Sequence, residues 1–471
     1  MEKNLKLLKA LILSLILVTA FSCSDNDDDN PMPQPTNIVE IAQATPDLSN
    51  LVDALVEANL TTTLSGNGPF TVLAPTNAAF QEFMSDNGWA TVQDIPDAAL
   101  EQVLLNHVIS GTIAATDLMA AGSGYATTNA DGAGGNKLSI YYDTTNGVKF
   151  NNTASVTTAD IVASNGIIHI VDKVIGLPSV VDHAAANPNF SNLVAALSAA
   201  DGDLVNVLSG DGPFTILAPD NAAFAGFLSD NGFSALGDVP TDVLAQVLLN
   251  HVMSGVTLST DLTAAGAGYT NTLATGAGNN PMSLYFNTSD GVKFNGISNV
   301  TTADIVGTNG VIHAIDGVIG LPTVVDFALA DPTFETLVAA LTRDDLTFDY
   351  VSTLSTPNGT SPAPFTVFAP TNDAFASLLT ELGVSSLADI DEPTLKATLD
   401  HHAVAGANVR AADLMDNMTV TTLGGDITAN VTGGATLTDA NGRVSNIIAV
   451  DVQAANGVIH VIDKVVLPPL N

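Results

Sequence analysis

The segment FTVLAPTNAAF at residues 70–80 sets the organisation of the whole chain, because it occurs three times. It returns as FTILAPDNAAF at residues 214–224 and as FTVFAPTNDAF at residues 365–375. The copies begin 144 and then 151 residues apart. A period of that length indicates tandem domains rather than the short stacked units of a solenoid. The chain of 471 residues has room for about three domains of roughly 150 residues each.

Each copy predicts a strand followed by a helix. The apolar residues of FTVLA favour a half-buried or fully buried strand. Pro75 cannot donate a hydrogen bond to a neighbouring strand, so the strand ends there. Thr76 or Asn77 then caps a helix that buries Phe80. None of these residues is of a catalytic type, so the segment is interpreted as structural.

The rest of each repeat places helices before strands. In the first repeat, an amphipathic pattern over residues 38–56 is divided at Pro46, and Asp47 is predicted to cap its second helix. A further helical segment ends in a histidine, His107, 27 residues after Phe80. Residues 137–142 and 148–150 then flank an Asn-Gly turn and predict a hairpin. This order predicts an α+β fold, with N-terminal helices packed on a mainly antiparallel β sheet in each domain.

Three domains are predicted, at residues 37–178, 179–322 and 323–471, which we call domains 1, 2 and 3. The sequence Gly-Leu-Pro joins them at residues 176–178 and 320–322. Such short linkers predict that neighbouring domains are held stiffly. Domain 3 diverges most and carries an inserted loop at residues 356–361.

The N-terminus is typical of a targeting segment. Residues 1–22 combine three lysines with an apolar core too short to span a bilayer. Cys23 is the only cysteine, so it cannot form an internal disulfide. The stretch resembles a bacterial lipoprotein signal, which implies that Cys23 is lipidated. The alternative is cleavage as an ordinary secreted protein.

Residues 23–36 form an acidic and proline-rich segment, which predicts an extended tether. Acidic residues behind the cysteine resemble the surface-export signals of Bacteroidetes lipoproteins. We therefore expect a lipid anchor in the outer membrane and exposure at the cell surface, with a periplasmic or secreted location as the alternative. The net charge of −37, from 12 basic and 49 acidic residues, argues against nucleic-acid binding. Membrane contact is expected only through lipidated Cys23.

Three motifs, in the same order in each repeat, resemble those of fasciclin-type domains (FAS1, or β-Ig-H3, domains). They are the opening segment, an Asn-His-Val segment, and a closing segment such as NGVIHVID at residues 456–463. Asn106, Asn250 and His401 stand where the family's Tyr-His motif has tyrosine. The motif positions, interpreted as structural, are Phe70, Pro75, Asn77, His107, His169, Phe214, Pro219, Asn221, His251, His313, Phe365, Pro370, Asn372, His402 and His460.

The resemblance implies a protein of cell adhesion or the extracellular matrix, and we expect its partner to be a glycan or a protein. We also expect it to be non-catalytic and to need no cofactor. The alternative is a periplasmic or surface lipoprotein that binds a saccharide or small molecule. No serine-hydrolase elbow, zinc-protease motif or phosphate-binding loop occurs in the sequence.

In animal relatives, an Asp-Ile pair before the closing motif is linked to integrin binding. The matching candidate interaction residues are Asp160, Ile161, Asp304, Ile305, Asp451 and Val452, the last pair departing from the pattern. A structural interpretation is also open, in which the isoleucine is buried in a strand and the aspartate bonds the following Asn-Gly turn.

Two histidines recur in each repeat, one in the middle and one in the closing motif. They allow a two-histidine metal or acid–base site, with Asp172, Asp316 or Asp463 as partner. They also allow core histidines that hydrogen-bond to the backbone. Because no ligand spacing accompanies them, we interpret them as structural and expect no metal.

Overall fold

The computed structural model describes residues 36–469 of the protein. The predicted signal segment, Cys23 and all but the last residue of the tether lie outside the described residues. Within them, a similar arrangement of helices and strands occurs three times in succession.

Domain 1 begins with helices and ends with strands. Its α-helices are α1 (Ile38–Ala44), α2 (Ser49–Glu57), α3 (Thr61–Leu64), α4 (Asn77–Asp86), α5 (Asp97–Asn106) and α6 (Ala115–Ala121). Its strands are β1 (Phe70–Pro75), β2 (Val108–Ser110), β3 (Ser123–Asp131), β4 (Lys137–Asp143), β5 (Lys149–Phe150), β6 (Ala154–Ala163) and β7 (Gly166–Val171).

Domain 2 repeats this order element by element. Its α-helices are α7 (Val180–Ala186), α8 (Ser191–Ala199), α9 (Leu204–Leu208), α10 (Asn221–Asp230), α11 (Thr241–Leu249) and α12 (Ser259–Ala265). Its strands are β8 (Phe214–Pro219), β9 (Val252–Ser254), β10 (Ala267–Thr275), β11 (Pro281–Asn287), β12 (Lys293–Phe294), β13 (Ser298–Gly307) and β14 (Gly310–Ile315).

Domain 3 keeps the plan but has a 3-10 turn in place of the sixth helix. Its α-helices are α13 (Val324–Ala330), α14 (Glu335–Leu341), α15 (Tyr350–Leu354), α16 (Asn372–Leu382) and α17 (Glu392–Asp400). Its strands are β15 (Phe365–Pro370), β16 (Ala403–Ala405), β17 (Met418–Thr422), β18 (Gly425–Asn430), β19 (Thr436–Thr438), β20 (Val444–Ala454) and β21 (Gly457–Ile462). The 3-10 turns of the chain are Pro46–Leu48, Val92–Asp94, Ala133–Gly135, Pro188–Phe190, Leu236–Asp238, Ala277–Asn279, Pro332–Phe334, Leu387–Asp389 and Ala411–Asp413.

Each domain has a seven-stranded sheet in which the first and last strands pair in parallel and the other pairs are antiparallel. Val72 lies opposite Ile168, for example, in the pair β1–β7. In domain 1 the sheet closes into a ring, because β2 also pairs with β3. A parallel pair needs a long crossover, which the intervening helices and strands provide. The α+β fold with a mainly antiparallel sheet is confirmed.

The opening segment forms the predicted strand and helix. β1 ends at Pro75, and Phe80 is 1% exposed in the core of domain 1. Thr76 rather than Asn77 caps α4, since its side chain accepts from the N–H of Ala79. Equivalent caps are made by Asp220 in domain 2 and Thr371 in domain 3.

Asn77 instead ties two helices together. Its Oδ1 accepts from the N–H of Asn50 at 2.9 Å, in the first turn of α2, and its Nδ2 donates to the Pro46 carbonyl at 3.0 Å. The predicted cap by Asp47 is wrong, because the N-cap residue of α2 is Leu48 and its side chain makes no capping bond. A residue of α4 thus satisfies an orphan amide of another helix.

The asparagine of the turn before the last strand joins the sheet to the helices. Asn165 accepts at Oδ1 from the N–H of Ile38 at 3.0 Å, and its Nδ2 donates to the carbonyls of Leu64 and Gly66 at 2.8 and 2.9 Å. Asn309 and Asn456 make the same three bonds in domains 2 and 3. We call these residues the turn asparagines.

Candidate interaction surfaces

An aspartate in the left-handed conformation interrupts the sixth strand of every domain. Asp160, Asp304 and Asp451 have φ angles of 62°, 59° and 61°, and the strand register shifts next to each of them. Asp304 accepts at Oδ1 from the N–H of Ser259 at 2.9 Å, at the start of α12. The bond predicted from this aspartate to the Asn-Gly turn is therefore wrong, since the carboxylate holds another segment.

The apolar partners of these aspartates differ in exposure. Ile305 and Val452 are 1% and 4% exposed and belong to the cores of domains 2 and 3. Ile161 is half-buried. In the folded domains, Ile161 is therefore the one apolar residue of the three pairs that a partner could contact.

Replacing Asp304 by alanine is expected to lower the free energy of unfolding by about 2 kcal/mol. About half of this comes from the lost bond to the first turn of α12, and the rest from placing an alanine β-carbon in the left-handed region. Asp304→Gly also loses the bond, but glycine adopts the left-handed conformation without strain. The loss in free energy of unfolding should therefore be about half as large. Urea denaturation of the two variants checks this, and equal losses would contradict the argument from conformation.

The histidine in the last strand of each domain forms hydrogen bonds to the backbone through both of its ring nitrogens. His313 accepts at Nδ1 from the N–H of Asp304 at 3.3 Å, and its Nε2 donates to the Thr257 carbonyl at 2.9 Å. His169 and His460 make the equivalent contacts. Burial lowers the pKa of His313 against the opposing effect of the Thr257 bond and the Asp304 charge. The ring is therefore neutral, and its two hydrogen bonds hold the backbone at Asp304 in place.

The histidine that follows the fifth helix of each domain also bonds the backbone through both ring nitrogens. His107 donates from Nδ1 to the Val103 carbonyl at 2.7 Å and accepts at Nε2 from the N–H of Ile175 at 2.9 Å. Burial lowers its pKa to about 4. His251 and His402 have the same two contacts and pKa values lowered by burial to about 4. Ile175 directly precedes the linker, so the bond from its N–H to His107 holds the end of domain 1 in place.

These contacts leave little scope for chemistry at the histidines. Both ring nitrogens of each of these histidines are bonded to the backbone. Asp172 accepts from the N–H of Ser155 instead of from a histidine. Among residues 36–469, no group of three or more His, Cys, Asp or Glu side chains is placed to hold a metal ion. Asp316 and Asp463 likewise accept from the N–H groups of Asn299 and Asn446, so the candidate partners Asp172, Asp316 and Asp463 are bonded to the backbone.

A hairpin of domain 1 docks on domain 2. It consists of β3 and β4, and we call it and its equivalent β10–β11 the docking hairpins. The ring of Tyr125 packs edge-on against His183 at 5.8 Å, and its hydroxyl accepts from the Asn187 side chain at 3.2 Å. Ser139 accepts at Oγ from the N–H of Val306 at 3.0 Å.

The joint between domains 2 and 3 repeats this geometry. Tyr269 packs edge-on against Phe327 at 5.8 Å, and its hydroxyl donates to Asp331 at 2.9 Å. Ser283 accepts at Oγ from the N–H of Gln453 at 3.0 Å. Both joints therefore use a tyrosine ring, a tyrosine hydroxyl and a serine hydroxyl from the earlier domain.

A glycine lets each docking hairpin approach the next domain closely. A β-carbon on Gly276 would lie 2.2 Å from the carbonyl oxygen of Ala454, and one on Gly132 would lie 2.9 Å from that of Gly307. No side chain fits at these distances. The close approach favours joints that are part of the fold, which agrees with the stiffness expected from the short linkers.

The structure thus brings together residues that the sequence interpretation missed. Tyr125 and Ser139 recur as Tyr269 and Ser283, each 144 residues later. That shared spacing was a usable signal, because it equals the period of the first two repeats. Nothing local distinguished these residues from other strand residues, since their partners lie in the next domain.

Domain 3 contains an apolar cavity of about 100 Å³ between its first helices and its sheet. Its walls are mainly aliphatic, with Leu337, Leu354 and Ile459 among them, and Tyr350 also lines it. Separately, no helix within residues 36–469 has the length and hydrophobicity needed to cross a bilayer.

The comparisons with known proteins agree with the repeat pattern. A family model described as the Fasciclin domain matches residues 46–178, 188–322 and 332–468. Periostin from Homo sapiens is 25% identical over 448 residues, which cover 92% of this chain and 47% of periostin. The chain thus spans about half the length of that relative.

A shorter relative and a solved structure were also found. The uncharacterized protein sll1735 of Synechocystis sp. is 40% identical over 139 residues, covering 30% of this chain and 96% of that protein. The structure of a FAS1 domain pair from the insect cell adhesion molecule Fasciclin I aligns with 18% identity and a TM-score of 0.36, over 58% of this chain and 96% of that one. Because the family model matches most of the sequence in three successive segments, this chain belongs to the fasciclin domain family, with three such domains in tandem.

Proposed function

We propose that the protein is a surface-anchored, non-catalytic adhesion or extracellular-matrix protein that binds glycan or protein partners through its tandem fasciclin domains. The observation that carries this proposal is the pair of equivalent joints between the domains. They hold three related domains in a fixed series, so weak contacts made by each domain add to a higher avidity. Membership of the fasciclin family supports the same role.

The proposed location follows from the N-terminal sequence. Lipidation of Cys23 anchors the protein in the outer membrane, and the acidic tether carries the domains into the medium. The net charge of −37 favours a soluble surface that repels polyanions. A partner that docks on charge alone would therefore be cationic or would bind through bridging cations.

A strain that carries Cys23→Ala is expected to release the protein into the medium and to lose attachment to surfaces or neighbouring cells. The reason is that the thiol accepts the lipid on which the anchor depends. Cell fractionation and an attachment assay measure the two effects, with Ser24→Ala as the matched control. Normal attachment by a Cys23→Ala strain that sheds the protein would rule out the proposed role.

A lipoprotein that binds a saccharide or small molecule is the second candidate function. The cavity in domain 3 is the observation in its favour. Ligand pockets commonly measure about 300–1,000 Å³ and contain a few placed polar groups. The cavity is smaller than this and its walls are mainly apolar, so it suits a small apolar molecule better than a sugar. A small apolar molecule or a saccharide retained in native mass spectrometry would favour this alternative.

A further inference from the structure

Domain 1 has an open copy of the surface on which the docking hairpins sit. We call this surface the receiving face, and five equivalent positions define it in each domain. In domain 2 they are His183, Ala186, Asn187, Val306 and Gly307, and all five are buried. In domain 3 they are Phe327, Ala330, Asp331, Gln453 and Ala454, of which four are buried and Ala330 is half-buried. In domain 1 they are Ile41, Ala44, Thr45, Val162 and Ala163, and each is half-buried or exposed.

The receiving faces differ clearly in exposure at Val162 and its equivalents. Val162 is 77% exposed, whereas the equivalent Val306 and Gln453 are 6% and 0% exposed. Isolated apolar side chains on a surface are common and need no explanation. Val162 is different because the same position is covered in both of the other domains of this chain.

The backbone at Val162 is also arranged as in the covered domains. Val162 lies opposite Ile167 in the last hairpin of domain 1, as Val306 lies opposite Val311 in domain 2. Since hydrogen-bonding direction alternates along an antiparallel pair, the two N–H groups point to the same side. In domain 2 that N–H donates to the Ser139 hydroxyl of the preceding domain. The receiving face of domain 1 thus offers an apolar side chain and an N–H in the same relation.

The two docking hairpins of this chain cannot fill this face, because each already sits on the domain that follows it. Domain 3 does not supply another. Its corresponding strands, β17 and β18, are joined at Thr422 and Gly425 by a two-residue turn. Residues 415–430 contain neither tyrosine nor serine. Within residues 36–469, a second copy of the chain therefore has no free hairpin of the required type.

We propose that the receiving face of domain 1 binds the docking hairpin of a fasciclin domain in another protein. The required chemistry is a tyrosine that packs against Ile41 and a serine hydroxyl that accepts from the N–H of Val162. This inference rests on the proposed function, since it names the class of protein partner that an adhesion protein of this kind takes up. Both joints within the chain show the mode of binding.

The test uses a backbone-cyclised, fluorescently labelled peptide with the sequence of residues 122–144, which carries Tyr125 and Ser139. Cross-strand NMR contacts first establish that the peptide forms the hairpin. The peptide is then titrated into the purified protein, where the receiving faces of domains 2 and 3 are already occupied. We expect saturable binding that is at least tenfold weaker for Val162→Lys.

The matched control is Val56→Lys, the same change at an exposed valine of α2 in domain 1, which should bind as the unaltered protein does. A peptide with Tyr125→Ala and Ser139→Ala should bind at least tenfold more weakly. Absence of binding by the folded peptide, or equal binding to Val162→Lys, would overturn the inference. Self-association of the protein that Val162→Lys abolishes would assign the face to a second copy instead. None of these results decides the proposed function, which the attachment assay of the Cys23→Ala strain tests separately.

Discussion

Asn165→Ala is expected to lower the free energy of unfolding of domain 1 by about 3–5 kcal/mol. The alanine leaves the N–H of Ile38 and the carbonyls of Leu64 and Gly66 without the turn asparagine that now bonds them. Leaving a buried polar group unsatisfied costs about 1–3 kcal/mol, and these three part-buried bonds are counted at the lower end of that range. One of these groups lies in α1 and two lie at the end of α3 and just after it, so the last hairpin loses its attachment to both helices together.

The single tryptophan makes this loss measurable in one domain. Trp89 is half-buried in domain 1 and packs against Phe83 with ring centroids 5.6 Å apart. Its fluorescence in urea therefore follows the unfolding of domain 1. Asn456→Ala, the same change in domain 3, is the matched control and should leave the tryptophan transition in place. A loss below about 1 kcal/mol for Asn165→Ala would contradict the role of the turn asparagine.

Acidification is expected to destabilise domain 1 between pH 6.5 and about 4 through His107. Burial lowers the pKa of this side chain from 6.5 to about 4. Between these values the unfolded chain binds a proton that the folded domain does not. The stability from the neutral ring is therefore fully present above pH 6.5 and is lost as the pH falls towards 4. A shift of this size corresponds to about 3 kcal/mol.

The structure explains why protonation is costly and how to isolate it. A proton on Nε2 of His107 would break the bond from the N–H of Ile175 and would place a charge in the core. His107→Gln is expected to be less stable at neutral pH, by about 1–2 kcal/mol, but to lose less stability on acidification. Tryptophan fluorescence in urea at a series of pH values measures this, with His251→Gln in domain 2 as the control. Equal pH dependence of His107→Gln and the unaltered protein would refute the assignment.

Much of the fold was predictable from local pattern. The alternation of FTVLA, the stop at Pro75 and a cap at Thr76 or Asn77 predict β1 and α4, because each depends on residues within one turn or strand. The hairpin between residues 137 and 150 likewise follows from its Asn-Gly turn. Repetition of the pattern then extended each prediction to the other two domains.

The failures share a physical cause, which is dependence on residues remote in the sequence. Asn77 looks like a helix cap, yet its side chain bonds a helix 27 residues earlier. Asp304 was expected to bond a nearby turn, but it reaches a helix 45 residues before it. Tyr125 is a plain strand residue until domain 2 covers it. Its role could not be predicted from hydrophobic periodicity, since that describes only the element on which a residue lies.

The turn asparagines also determine how a pulling force would pass through the array. The chain enters domain 2 at Val180, whose N–H bonds Asn309, while the N–H of Thr308 bonds the linker carbonyl of Pro178. Asn309 directly precedes β14, the strand that leads out to the next linker. Tension therefore has a short route from the entry of the domain to its exit along one strand. The other strands and the remaining helices lie off this route, so they can bear partner contacts without carrying the tension.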